Sequence, residues 1–278
     1  MSGARKLLQW AEQELINVSL DAPLDSLILL SEATGLSRTH VLFRDHLEQD
    51  EEEMFRMWIN KRKTGEPIQY ITGRAYFREL TLDVGPGVLI PRPESEQIVG
   101  KVISIISPLA EPHVVDLGAG SGALALSIAT EVPQARVTAV EKESAALFWL
   151  ERNVRKISAE LERDLKIVQA DVADFDGAHQ FDAVIANPPY IPEDEVLPDE
   201  VTHFEPHVAL FGGLDGVQVP KLFIDAALRA LKPGGYLALE HHESQSEAIG
   251  TALSHSFDEV KLHYDFNGRA RWSSGVLR

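Results

Sequence analysis

Asp116-Leu117-Gly118-Ala119-Gly120-Ser121-Gly122 joins an apolar run, His113–Leu117, to a segment with helical patterning over Ser121–Val132. Glycines let a backbone turn tightly and let a ligand approach it closely. A strand, a glycine loop and a helix in that order predict the first βα unit of a parallel α/β sheet. The spacing Gly118-x-Gly120-x-x-Ala123 satisfies a dinucleotide fingerprint, so alone it does not separate a nicotinamide cofactor from S-adenosylmethionine. Glu141 ends the next predicted strand, 23 residues after Gly118 (141 − 118). That is close to the ~20 expected of an acid that binds a ribose in this fold.

Outward from this loop the alternation of strands and helices is strict. Strands are predicted at His113–Leu117, Arg136–Glu141, Leu165–Asp171, Phe181–Ala186 and Tyr236–His241, and helices at Ser121–Val132, Ser144–Ser158, Val217–Leu231 and Gln245–His255. Glu259–Phe266 and Arg271–Leu277 break the alternation as two strands around Asn267-Gly268, a hairpin signal. A doubly wound parallel sheet finished by a hairpin, seven strands in all, predicts the Rossmann-like α/β fold of class I S-adenosylmethionine-dependent methyltransferases.

The chain before this sheet reads differently. Leu7, Leu8, Ala11 and Leu15 share one helical stripe, and Leu24, Leu27, Ile28 and Leu30 another. Ser37 is placed to cap a short helix through Phe43. Asp50-Glu51-Glu52-Glu53 opens a further helix that Lys61-Arg62-Lys63 closes, which reads as dipole matching on a solvated face. Tyr76-Phe77 and Leu80–Val84 alternate like strands, and Gly85-Pro86-Gly87 turns toward Val88-Leu89-Ile90, predicting a β-hairpin link. The expected domains are a helical one at 1–75, for partner recognition, the hairpin linker at 76–90 and a catalytic one at 91–278. Arg92, between two prolines, reads first as a surface arginine in a linker, with a pocket wall as the alternative.

Asn187-Pro188-Pro189-Tyr190 follows the apolar strand 181–186. Two prolines end a strand, since each fixes φ and neither donates a ladder hydrogen bond. Asn187 is thereby left at the strand's carboxyl end, where open α/β sheets bind ligands. Its side-chain carbonyl and the Pro188 carbonyl are two fixed acceptors, suited to the two hydrogens of an –NH2 group, and Tyr190 can cover a planar group. Asp171, at the end of the third strand, can reach an adenine amine with Val172 against the ring, and reads almost as well as an acid that starts a loop. The row of groups favours methyl transfer over hydride transfer, because a sulfonium methyl mainly needs a nitrogen held ~3–3.5 Å away and in line.

The net charge is −17, from 43 acids and 26 bases. That balance opposes a nucleic-acid substrate, whose affinity rests on cation–phosphate contacts, so no direct nucleic-acid partner is expected. No apolar stretch is long enough to span a bilayer and the start lacks a secretory pattern, so a cytoplasmic location without membrane contact is expected. Cysteine is absent, which excludes disulfides and thiol nucleophiles. His203 and His207 have Pro206 between them, which argues against a helical zinc pair, and His241-His242-Glu243 reads equally as a solvated strand edge; no metal is expected. A monomer is the expected state.

In its motifs the chain resembles the protein-(glutamine-N(5)) methyltransferases that modify class I peptide chain release factors, the HemK/PrmC family. The resemblance is carried by 67–73 (Pro-Ile-Gln-Tyr-Ile-Thr-Gly), 89–96 (Leu-Ile-Pro-Arg-Pro-Glu-Ser-Glu), the glycine loop, Asn187-Pro188-Pro189-Tyr190-Ile191, Phe204-Glu205-Pro206, Leu210, Gly216 and Pro233-Gly234-Gly235. It implies S-adenosylmethionine contacts at Gly118, Ala119, Gly120, Ser121, Gly122, Glu141, Asp171, Val172 and Asn187. Catalytic roles fall to Asn187, Pro188 and Tyr190, and substrate contacts to Asn187, Pro188, Pro189 and Tyr190. The implied substrate is the glutamine of a release factor's Gly-Gly-Gln loop, with the helical domain docking that protein. Two positions depart from the pattern: Glu141 stands where Asp is common, and His241-His242-Glu243 where His-Gly is expected.

Overall fold

The computed structural model describes residues 3–278, which divide into two compact units. One runs to Arg74 and takes in Leu197–Phe204; the other comprises Ala75–Val196 and Glu205–Arg278.

Five helices form most of the first unit: α1 (Ala4–Leu15), α2 (Ala22–Thr34), α3 (Arg38–Val41), α4 (Gln49–Arg62) and α5 (Ile68–Thr72). The predicted stripe on α1, Leu7, Leu8, Ala11 and Leu15, is buried. On α2 the buried face is Ala22, Ser26, Leu29, Leu30 and Ala33, whereas Leu24 of the predicted stripe is 40% exposed. Small Ala22, Ser26 and Ala33 let α2 pack closely, so the buried face lies beside the one its leucines suggest. Ser37 caps α3, its hydroxyl accepting from the His40 N–H at 3.3 Å.

Next along the chain comes a hairpin of β1 (Arg74–Phe77) and β2 (Leu80–Asp83). Its turn is Arg78-Glu79, not Gly85-Pro86-Gly87, and Val88–Ile90 forms no strand. The Ile90 N–H is instead taken up by the Glu205 carboxylate at 3.0 Å, and Pro91 has no N–H to offer a ladder. There follow α6 (Ser95–Ile106), β3 (His113–Leu117), α7 (Ala123–Glu131), β4 (Arg136–Glu141), α8 (Ser144–Ile157), β5 (Lys166–Gln169), β6 (Phe181–Ala186), α9 (Asp199–Phe204), α10 (Gln218–Ala230), β7 (Leu231–Glu240), α11 (Ser246–Ser254), β8 (Phe257–Tyr264) and β9 (Ala270–Leu277).

Seven strands make one sheet in the order β5-β4-β3-β6-β7-β9-β8. The first five are mutually parallel, β9 runs antiparallel to β7 and β8 antiparallel to β9. This is the predicted parallel sheet with its closing hairpin. Helices α6, α7 and α8 cover one face through Val99, Leu126, Ile128 and Leu150, and α10 and α11 the other through Phe223, Ile224 and Leu253. Such side chains each contribute about 1.5–3 kcal/mol on burial, which makes the sheet a rigid platform for what its ends carry.

Register decides which residues meet there. Leu117 pairs with Val140 on one side and Ala186 on the other, and Ala186 pairs with Leu239. The next residue of each strand, Glu141, Gly118, Asn187 and Glu240, therefore forms a row at the carboxyl end. The chain leaves β3 toward β4 and β5 and returns to β6 on the other flank, so β3 and β6 border the switch point where such sheets bind ligands.

Residues 197–204, which hold α9, cluster with the helical unit. Arg62, read from sequence as part of a solvated run, is only 6% exposed. Its guanidinium lies 2.8 Å from Asp25 and 2.7 Å from Glu200 of α9, and donates to the Glu66 carbonyl at 3.2 Å. Burial works against the charge, but the two carboxylates outweigh it and hold Arg62 above its ordinary range. Removing one partner of a buried pair strands the other. Arg62→Ala is expected to destabilise the helical unit by about 3 kcal/mol and to make 197–204 protease-sensitive, read by thermal melting and limited proteolysis. Lys63→Ala, which breaks an exposed pair with Glu14, should cost less than about 1 kcal/mol.

Candidate active site

A cavity of about 250 Å³ opens at the carboxyl ends of the strands, lined among others by Gly118, Glu141, Asp171, Val172, Asn187 and Pro189. The structure thus brings four separate strand ends to one concavity. Ala119, Gly120 and Ser121 of the glycine loop also line it, but Gly122, Pro188 and Tyr190 do not. Gly122 serves the entry into α7: its φ is 86°, and a Cβ there would lie 2.7 Å from Leu150.

The loop's own donors are largely taken up. Gly118 and Ala119 N–H both donate to the Val140 carbonyl at 2.9 Å, Gly122 N–H to the Ala119 carbonyl, and Gly120 N–H to Glu141 Oε2 at 2.8 Å. Beneath the start of α7 lies the Asp116 carboxylate, 1% exposed, accepting from Ala125 N–H at 3.1 Å. Burial pushes this carboxyl up to about 7, against the Ala125 bond and with help from nearby Glu141. An acid already stands at the helix N-terminus where a dinucleotide's pyrophosphate would need donors. The residues fit an uncharged nucleoside edge better than a diphosphate.

Glu141 is 7% exposed, and its second oxygen accepts from Glu143 N–H at 2.8 Å. Burial raises its carboxyl, while these backbone donors oppose the shift. Backbone N–H groups of Gly120, Lys142 and Glu143 bear on this carboxylate without exhausting its four acceptor positions. Asp171 lies two residues past the end of β5, in a turn rather than in the predicted strand. Its carboxylate accepts from Ala173 N–H at 2.9 Å and faces Lys142 at 3.4 Å; the Ala173 bond and the lysine hold it below its ordinary range despite some burial. Arg229 fixes that turn by donating to the carbonyls of Val172 and Phe175. Asp171 and Val172 are thereby held at the cavity wall.

On the other flank Asn187 Nδ2 donates to Ser95 Oγ at 3.2 Å, leaving Oδ1 as an acceptor. Among the described residues no donor reaches that oxygen or the Pro188 carbonyl. Tyr190 is half-buried, its hydroxyl donating to Glu240 Oε1 at 3.0 Å. Its phenol is held well above the ordinary range by burial and by that carboxylate. Past the prolines the chain is braced by a bridge between Ile191 and Phe211 and by Gln245, which donates to the Tyr190 carbonyl at 2.6 Å. Gly216, at φ 70°, makes this possible: a Cβ there would stand 2.1 Å from the Tyr190 carbonyl oxygen.

Arg92 is not a linker arginine. It lines the cavity and lies 2.5 Å from Glu205, a carboxylate that is itself buried. His241 is fully buried, bonded to Ser273 Oγ at 2.9 Å, so the strand edge read there as solvated is closed. Ser95, Glu240 and Gln245 were not singled out from sequence. Glu240 ends an apolar strand as Glu141 does, and that pattern was the available signal. Among the described residues no group of three or more acids and histidines gathers as a metal site.

The PrmC N-terminal domain model matches residues 6–73, and the methyltransferase small domain model residues 94–204. A release factor glutamine methyltransferase of Streptomyces coelicolor is 37% identical over 273 residues, 95% of this chain and 94% of the relative. One of Burkholderia pseudomallei is 39% identical over 272 residues, 95% of each chain. Among solved structures, the Thermus thermophilus 16S rRNA N2 G1207 methyltransferase RsmC, in complex with AdoMet and guanosine, superposes with a TM-score of 0.53 at 22% identity. It covers 74% of this chain and 50% of that one, a likeness of fold. With relatives this similar over nearly the whole of both chains, the protein belongs to the release factor glutamine methyltransferase family.

Proposed function

We propose that the protein transfers a methyl group from S-adenosylmethionine to the side-chain amide nitrogen of the glutamine in the Gly-Gly-Gln loop of class I release factors. The observation that carries this is a pair of acceptors, Asn187 Oδ1 and the Pro188 carbonyl, that no donor among the described residues reaches at the end of β6. Family membership supports the protein substrate, and the net charge of −17 weighs against nucleic acid.

In this reading Glu141 takes the ribose hydroxyls, Asp171 and Val172 the adenine, and Gly118 to Ser121 the remaining cofactor edge. When bound, S-adenosylmethionine supplies an electrophilic sulfonium methyl. An amide nitrogen is a weak nucleophile, since its lone pair is delocalised into the carbonyl. Asn187 and the Pro188 carbonyl hold both of its hydrogens, which favours a pyramidal nitrogen with its lone pair directed along the line of attack. Pro189 and Tyr190 cover the plane of the amide. No strong base is needed, because the proton leaves after the nitrogen has become cationic.

The helical unit has its own core and exposes Ile16 and Leu20, at 69% and 108%. Its role in this reading is to dock the release factor. Replacing both residues by Ser is expected to raise KM for the factor severalfold and leave cofactor affinity unchanged; an unchanged KM would make that face irrelevant to docking.

A labelled-methyl assay offering release factor and DNA side by side tests the whole reading. Label is expected on the factor alone and is lost when its Gly-Gly-Gln glutamine is replaced. Asn187→Ala should lower transfer about a hundredfold or more while cofactor affinity changes little. Label on DNA alone, or undiminished transfer by the variant, would contradict it.

A further inference from the structure

Glu240, the last residue of β7, stands beside Asn187 in the row that the register creates. It is 1% exposed, and nothing in the transfer chemistry described above calls for a carboxylate there. Its Oε2 accepts from Ser95 Oγ at 2.5 Å and its Oε1 from the Tyr190 hydroxyl at 3.0 Å. Ser95, also 1% exposed, in turn accepts from Asn187 Nδ2 at 3.2 Å.

Counting hydrogens gives this chain a direction. A hydroxyl has one hydrogen, and an ionised carboxylate only accepts. Ser95 therefore gives its hydrogen to Glu240 and has only lone pairs left for Asn187. The Asn187 amide must then turn its NH2 to Ser95 and its carbonyl oxygen away. The two ends of an Asn amide are nearly alike in shape, so without such a partner a half-turn flip is sterically open. A flipped Asn187 would present an NH2 to a substrate NH2, donor against donor. Burial, with Glu94 adding to it, holds the Glu240 carboxyl above its ordinary range, and the hydrogen bonds from Ser95 and Tyr190 with the nearby Arg271 oppose that shift.

We propose that Glu240, acting through Ser95, is a positioning residue that sets the orientation of the Asn187 amide and hence the preference for an amide over a carboxylate substrate. The inference rests on the reading of Asn187 as an acceptor for amide hydrogens. Through its other oxygen the same carboxylate holds Tyr190.

Ser95→Ala removes the partner of Asn187 Nδ2 and leaves Glu240 with Tyr190. Glu240→Gln can accept from only one of the two hydroxyls and must donate toward the other, so part of its population reverses Ser95. Ser95→Thr keeps the hydroxyl. For each full-length variant, kcat on the release factor is measured, together with the inhibition constant of the factor carrying Glu in place of the target glutamine. Wild type should bind the Glu factor poorly, since two acceptors face its carboxylate. Ser95→Ala should lower kcat about tenfold and narrow the Gln-over-Glu preference about tenfold, with cofactor affinity unchanged. Glu240→Gln should move both in the same direction, the double variant should add little, and Ser95→Thr should retain the preference. A fall in kcat with the preference intact would make these residues merely structural and overturn the proposal, as would no change in either. Wild type that does not discriminate against the Glu factor would instead refute the acceptor reading of Asn187, and the inference with it.

Discussion

Strand β6 ends in a sequence that cannot continue a ladder, and this termination is the constraint on which the site depends. Pro188 and Pro189 offer no N–H, so the chain must leave the sheet immediately after Asn187. The Pro188 carbonyl is then left without a donor among the described residues, a condition that ordinary secondary structure removes. Everything around the tetrapeptide serves to hold that exit still: the Ile191–Phe211 bridge, the Gln245 amide on the Tyr190 carbonyl, and the close pass of Gly216. The sheet contributes rigidity, and the register contributes neighbours.

Three carboxylates, Asp116, Glu141 and Glu240, sit buried at or near the ends of three of the parallel strands, and each is handled differently. Asp116 receives a single backbone donor, and burial pushes it up to about 7. Glu141 receives backbone donors from Gly120, Lys142 and Glu143 and lines the cavity. Glu240 receives two hydroxyls and faces inward. A buried acid is costly unless hydrogen-bonded, and these partners offset part of that cost. Asp116 and Glu141 take up the Ala125 and Gly120 N–H groups, donors that a pyrophosphate would use, although the glycine spacing satisfies a dinucleotide pattern.

Much of this was legible in the residues because short-range rules govern it. Apolar runs bounded by Gly and Pro located the strands of the sheet, and Asn267-Gly268 marked the closing hairpin. What escaped depended on partners distant in sequence. Arg62 looks like a helix-end cation until Asp25 and Glu200 are brought to it. Arg92 looks like a linker residue until Glu205 meets it. Ser95 reads as a helix start, and only the pairing of Ala186 with Leu239 reveals that it connects Asn187 to Glu240. The turn of the first hairpin was misplaced because Gly85-Pro86-Gly87 is a stronger local signal than Arg78-Glu79, where Arg78 adopts a φ of 50°.

In the proposed reaction two acceptors hold both hydrogens of one amide nitrogen. A methylated glutamine has one such hydrogen left and cannot satisfy both. Mass spectrometry of a release factor treated to exhaustion with enzyme and S-adenosylmethionine tests this directly. A single methyl on the target side chain is expected however long the reaction runs. A dimethylated glutamine would show that the nitrogen reacts without both acceptors engaged, and would contradict it.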